Sequence, residues 1–188
     1  MVRPPSDEDA LVKAREFALA GLFGALGLTL PVVFHALGWG GKVLLPMHLP
    51  ITVAGFLVGP ATAVALGVVV PFLSALLTGM PPIAPPIAPL MAAELAVKAG
   101  TASVLYRRLR FPLWVALPGA LLADWLILGL AVFLAAGFFA IKASPLMYVA
   151  ATVALGLPGT ILQVVAVPIG VAAVERRLPR LRTRRQQH

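Results

Sequence analysis

Residues 47–89 read MHLPITVAGFLVGPATAVALGVVVPFLSALLTGMPPIAPPIAP, and the fold turns on how this stretch is divided. Residues 49–78 form a run of 30 without a single charge, broken only by Gly59-Pro60. As one helix the run would reach roughly 45 Å, against a hydrocarbon core of about 30 Å. That is too long for one comfortable span and short for two full spans with a turn. Charge decides between the two readings. One helix gives five spans and puts the basic N-terminus and the basic C-terminus on opposite sides of the membrane. Two short helices give six spans and gather the basic clusters on one side, as the preference of Lys and Arg for the cytoplasmic face requires. The expectation is therefore six transmembrane helices with both termini inside.

Composition points the same way. A chain of 188 residues that is 60% hydrophobic and 12% charged cannot hide its apolar surface in a soluble core, which makes it an integral membrane protein. The apolar runs are continuous and do not alternate, so the spans are helices and not barrel strands. With no cysteine there is no disulfide or thiol chemistry. The polar start MVRPPSDEDALVKARE, with no small-x-small site after the first apolar run, predicts no cleaved signal. A net charge of +8 would suggest nucleic acid in a soluble protein. Here 13 of the 15 Lys and Arg fall on the expected inner side or within a helix, leaving Lys42 and Lys142, so the charge reports topology and no nucleic-acid partner is expected.

The chain reads as one transmembrane domain, with helices at about 11–36, 49–58, 61–77, 86–106, 113–138 and 145–174 and a basic cytoplasmic tail at 175–188. Pro31 is expected to kink the first helix, and Pro158 and Pro168 lie within the last. Inside lie the N-terminus, the 2–3 turn, the loop with Arg107, Arg108 and Arg110, and the tail; outside lie loops 37–48, 79–88 and 139–145. The third of these spans is followed by a PPIA repeat that favours a stiff polyproline II path. It reads either as a cap over an apolar cavity or as a rigid linker.

Two stripes of small residues run along the first helix. Ala14, Ala18, Gly21 and Ala25 share one face, and Ala20, Gly24 and Gly27 share another. Small stripes let helices approach closely in lipid. One is needed inside the bundle, which leaves the other free for a partner protein.

Three ionisable residues fall at bilayer depth: Glu94, Lys98 and Asp124. Charges there are costly, so they face a cavity or one another. Glu94 and Lys98 are four apart on one helix face, in the order that favours an ion pair, while Asp124 on the next helix competes for the same lysine. Either Glu94 and Lys98 satisfy each other, or Glu94 reaches a substrate pocket with Lys98 beneath it. Gln163 is a lone polar side chain at mid-depth that can join helices or bind a ligand. His48, beside Met47 and Pro50, stands at the start of the second helix, where it is placed either to meet a ligand or to rest at the interface. No metal-ligand spacing, Walker sequence, dinucleotide fingerprint or nucleophile with a readable base is present, so neither enzymatic chemistry nor a cofactor is expected. ATP-driven work would have to come from another subunit.

The stretches HLPITVAGFLVGPATAVALGVVVPFLSALLTGMPP and PLMAAELAVKAGTASVLYRRL resemble the membrane-embedded substrate-binding (S) components of energy-coupling factor (ECF) transporters, the vitamin importers of bacteria and archaea. The resemblance extends over most of the chain. It implies a six-helix, N-in, C-in bundle in a prokaryotic plasma membrane that captures one vitamin-like molecule under its outer loops. It also implies, as partners, a membrane-embedded coupling protein and two cytosolic ATPases. The family's AxxxA motif is matched by Ala14 and Ala18, with Gly21 and Ala25 continuing the stripe. In such a pocket Glu94 and His48 would hydrogen-bond the ligand and Lys98 would balance charge or meet an acidic group. Asp124 and Gln163 complete the candidate polar set, while Met47, Met80, Trp39 and Trp125 supply apolar contact. The chain departs from the family in showing no signature for a particular vitamin. Two other classes compete: a membrane scaffold of the MreD type, in which intramembrane charges are paired off, and a self-sufficient proton-coupled transporter using Glu94 or Asp124 as relay.

Overall fold

The structure, a computed structural model, describes residues 7–36, 45–83, 87–139 and 145–177, which contain six α-helices and no strand. These are α1 (Asp7–Ala36), α2 (His48–Leu57), α3 (Pro60–Thr78), α4 (Ile87–Ser103), α5 (Leu113–Phe139) and α6 (Pro145–Arg177). A π-helical turn, Val104–Arg108, prolongs α4. Trp39, Lys42, Lys142 and the tail from 178 onward lie outside the described residues.

Five helices are long and apolar enough to cross a membrane, namely α1, α3, α4 with its π turn, α5 and α6. The sixth is different. With 10 residues α2 is only about 15 Å long, half of a hydrocarbon core. Every residue of α2 except Leu49 is buried. A helix apolar on all sides belongs inside a bundle, and α2 sits there, packed on α1, α3, α4 and α6. The uncharged run 49–78 is thus split unequally, into one full-length helix and one short enclosed helix.

Proline chemistry sets the break. Pro60 has no N–H to donate and occupies the first position of α3, where none is needed, with Gly59 as its cap. The α2 carbonyls and α3 amides freed there need partners, as the orphaned backbone groups at any helix end do. The Glu16 carboxylate of α1 accepts from the Gly59 amide (2.8 Å) and from the Thr62 hydroxyl (2.5 Å). Ser103 donates to the Val58 carbonyl at 2.7 Å, and the Arg107 guanidinium donates to the Leu57 carbonyl. A carboxylate therefore meets the N-terminus of α3 and a cation meets the C-terminus of α2, the signs that the two helix dipoles favour. The π turn belongs to this arrangement, since such turns re-aim side chains. It directs Arg107 to the break and buries Tyr106, whose ring packs edge-on against Phe56 at 5.3 Å and whose hydroxyl donates to Glu175 of α6 at 2.9 Å.

Glycine brings α4 into backbone contact with both of these helices. A Cβ on Gly67 of α3 would lie 2.4 Å from the Ala96 amide nitrogen, and one on Gly55 of α2 would lie 2.7 Å from the Ala99 carbonyl oxygen. The two small stripes of α1 separate cleanly. Ala20, Gly24 and Gly27 are buried, Gly24 against Leu66 and Gly27 against Val70 and Ile51. Ala14, Ala18, Gly21 and Ala25 are exposed, with open space beside Gly21. α5 joins α4 to α6, and α4 and α6 themselves barely touch.

Candidate functional site

The space between α4 and α6 is a cavity of about 430 Å³, within the range of small-molecule sites. Helical periodicity builds its α4 wall: Ile87, Leu90, Met91 and Glu94 recur at three- and four-residue steps on one face. Lys98 falls one turn further along the same face. From α5 come Asp124, Trp125 and Leu128, and from α6 residues between Ala151 and Thr160. His48, the first residue of α2, and Leu45 close the remaining side.

Behind this wall one ammonium ties three helices together. Lys98 Nζ lies 2.7 Å from Asp124 Oδ2 and 2.6 Å from His48 Nδ1, and Lys98 itself is 1% exposed. The ion pair thus runs from α4 to α5, and Lys98 does not pair with Glu94 four residues earlier. The burial explains the choice: Lys98 is enclosed where Asp124 can reach it, while Glu94 is only partly buried and faces the cavity. An ammonium has donors and no acceptor, so His48 Nδ1 must accept and its proton resides on Nε2. His48 Nε2 and Asp124 Oδ1 are both buried, and neither has a hydrogen-bond partner among the described residues. Buried polar atoms without partners are uncommon in native proteins. Here both belong to residues that line a cavity.

Of the residues the sequence nominated, the structure brings His48, Glu94, Asp124 and Trp125 together around one space, with Lys98 behind them. It puts the others elsewhere. Met47 is buried in the hydrophobic core, and Met80 is 52% exposed after α3, where its carbonyl accepts from the Ser74 hydroxyl at 2.7 Å. Gln163 is fully buried between helices, its Oε1 3.3 Å from the Thr52 hydroxyl and its Nε2 donating to the Gly159 carbonyl at 3.4 Å. It joins α6 to α2 away from the cavity. Trp39 lies outside the described residues.

Three features were not read from the sequence. Leu45, with a left-handed φ of 47°, is part of the cavity wall. Glu16 and Arg107 hold the α2–α3 break, though their numbering gives no hint of it. A usable signal did exist: a helix break must be capped from somewhere, and charged side chains near helix ends are the available donors and acceptors. Among the described residues no group of His, Cys, Asp and Glu is arranged to hold a metal ion. What the site offers is recognition: an apolar chamber with carboxylate and imidazole groups on one side. Set against protein-family models, curated proteins and solved structures, the chain matches none of them.

Proposed function

We propose that this protein is a membrane-embedded binding subunit that captures a small metabolite from outside the cell, as the S component of an ECF-type importer does. The single observation that carries the reading is the α4–α6 cavity of about 430 Å³, lined by Glu94, His48 and Asp124, the last two of which each hold a buried polar atom with no partner among the described residues. A chain of packed helices has no structural use for such groups, which cost stability when left unpaired. The reading includes six membrane crossings with both termini inside, supported by 13 of the 15 Lys and Arg falling on the expected inner side or within a helix. It places the protein in a prokaryotic plasma membrane. It further includes a membrane coupling protein and two cytosolic ATPases as partners, because the sequence carries no nucleotide-binding signature of its own. The scaffold reading is weaker here: it asks for every intramembrane charge to be paired, and Glu94 faces the cavity.

The test is native mass spectrometry of the detergent-purified full chain from cells grown in rich medium. A small molecule bound one to one, and lost in Glu94→Ala, is the expected result. An empty protein whose thermal stability ignores a panel of vitamins would overturn the assignment.

A further inference from the structure

The end of the bundle where α4 closes and α5 begins carries cations that neither the core nor the cavity uses. Arg107 is committed to the Leu57 carbonyl, but Arg108 and Arg110 are exposed and enter no ion pair among the described residues. Arg108 has a plain structural use, since a cation in a last helical turn complements the helix dipole. Arg110 lies past that turn. The Leu109 amide donates to the Val104 carbonyl at 2.8 Å and the Phe111 amide to the Leu105 carbonyl at 2.9 Å. This closure, a Schellman-type cap widened by the π turn, holds Arg110 at a φ of 61°, the left-handed conformation that glycine usually takes at helix ends. A side chain there strains the backbone, so the exposed guanidinium is present at a structural cost.

Apolar side chains frame the two cations. Leu109, Phe111 and Trp114 are 56%, 44% and 77% exposed. α5 packs through Ala116, Leu117 and Ala120, all buried, which turns the ridge of Trp114, Pro118 and Leu122 outward. From Trp114 to Leu122 the helix rises roughly 12 Å, close to one leaflet's share of a hydrocarbon core about 30 Å thick. Guanidinium groups, then aromatic rings, then an aliphatic ridge follow the order of a phospholipid from headgroup through interface to acyl chain. An acidic protein segment would account for the cations but not for the ridge that continues from them.

We propose that Arg108 and Arg110 form a headgroup site for an anionic phospholipid whose acyl chain lies along the Trp114–Pro118–Leu122 ridge. The two guanidinium groups favour a headgroup of net negative charge, while the cation of a zwitterionic headgroup offsets that attraction. The site shares no residue with the lining of the α4–α6 cavity, so it stands whether or not the cavity holds a ligand.

The experiment titrates the full chain, delipidated in mild detergent, with phosphatidylglycerol or with phosphatidylcholine of the same acyl chains, and native mass spectrometry reads the lipid retained. One phosphatidylglycerol should stay bound under conditions that strip phosphatidylcholine. Arg108→Gln with Arg110→Gln should weaken it about tenfold to thirtyfold. Arg176→Gln with Arg177→Gln removes the same charge from the exposed end of α6, which the Tyr106–Glu175 hydrogen bond brings to the same end of the bundle, and should leave binding nearly unchanged. Arg110→Gly guards against misfolding: it relieves the backbone, so the delipidated chain should unfold at a higher temperature than the parent while binding phosphatidylglycerol more weakly. No preference for phosphatidylglycerol, or undiminished binding in Arg110→Gly, would overturn the site and leave the basic face to a protein contact. An equal loss in the Arg176 and Arg177 pair would replace it with a diffuse basic surface. Displacement of the lipid by glycerol 3-phosphate would make it a site for a soluble phosphate and overturn the lipid assignment.

Discussion

The two ends of α2 face opposite situations. At its C-terminus the chain breaks at Gly59-Pro60, and side chains from two other helices answer the freed groups: Glu16 from α1, Ser103 and Arg107 from α4 and its π turn. At its N-terminus His48 meets Lys98, which also binds Asp124, yet His48 Nε2 and Asp124 Oδ1 are left without partners among the described residues. Both ends bury polar atoms in an apolar bundle. Only one closes its ledger. A fully satisfied network rigidifies and specifies a fold, whereas leftover capacity beside a cavity has a structural cost and no structural return. On the proposed reading, the difference separates groups that hold the bundle together from groups that await a ligand.

The comparison is broken most sharply at Lys98, which serves both purposes. Lys98→Met removes the counter-charge of a buried carboxylate and should destabilise the protein by about 3–5 kcal/mol, read as a large loss of thermal stability in detergent. Adding Asp124→Leu to the same chain removes the orphaned charge and should recover most of that loss. If the double variant is no better than the single one, the ion pair is not what makes Lys98 necessary. At the opposite end, Glu16→Ala leaves the Gly59 amide and the Thr62 hydroxyl without their acceptor and should cost about 1–3 kcal/mol. Glu16→Gln retains an acceptor oxygen and loses the charge facing the α3 N-terminus, so it should fall between Glu16→Ala and the parent. Equal stability of all three chains would remove Glu16 from the capping of the break. Ser103→Ala, with one neutral bond to the Val58 carbonyl at stake, should cost about 1 kcal/mol.

Much of this architecture can be read from local chemistry. The Gly59-Pro60 break is legible because Gly directly before Pro joins two poor helix formers, whereas Pro31, Pro71, Pro118, Pro158 and Pro168 follow Leu or Val and stay inside helices. The two stripes of α1 are visible as spacing, yet which one turns inward depends on Leu66, Val70 and Ile51, far along the chain. The partner of Lys98 can be narrowed from the sequence to Glu94 or Asp124, but the choice is illegible for a similar reason. Local geometry favours Glu94 at four residues, but the pairing is decided by Asp124, 26 residues away on another helix. Glu16 sits 43 residues from the amide that it accepts. Distances of that kind are set by how helices stack, and one sequence contains no direct record of them. His48, Glu94 and Trp125 could be nominated because a polar or aromatic side chain in or beside an apolar span is conspicuous, whereas Met47 and Met80, nominated for apolar contact, lie in the core and at the surface.

The smallest effect on stability is the most informative one. Glu94 lies only partly buried at the cavity edge and does not take the Lys98 ion pair. If it serves a ligand, the empty bundle should hardly notice its loss. Glu94→Gln should therefore shift the unfolding of ligand-free protein by no more than about 0.5 kcal/mol, the usual range for positions outside caps, cores and buried networks. The same change should abolish the extra stability that a bound ligand confers on the parent chain, because that increment follows the ratio of ligand concentration to Kd. Thermal unfolding of both chains, stripped and as purified, separates the two contributions. A drop as large in the stripped state as that of Glu16→Ala would make Glu94 one more structural group. The contrast between the two ends of α2 would then vanish. A loss confined to the as-purified state keeps the contrast and assigns Glu94 to the ligand.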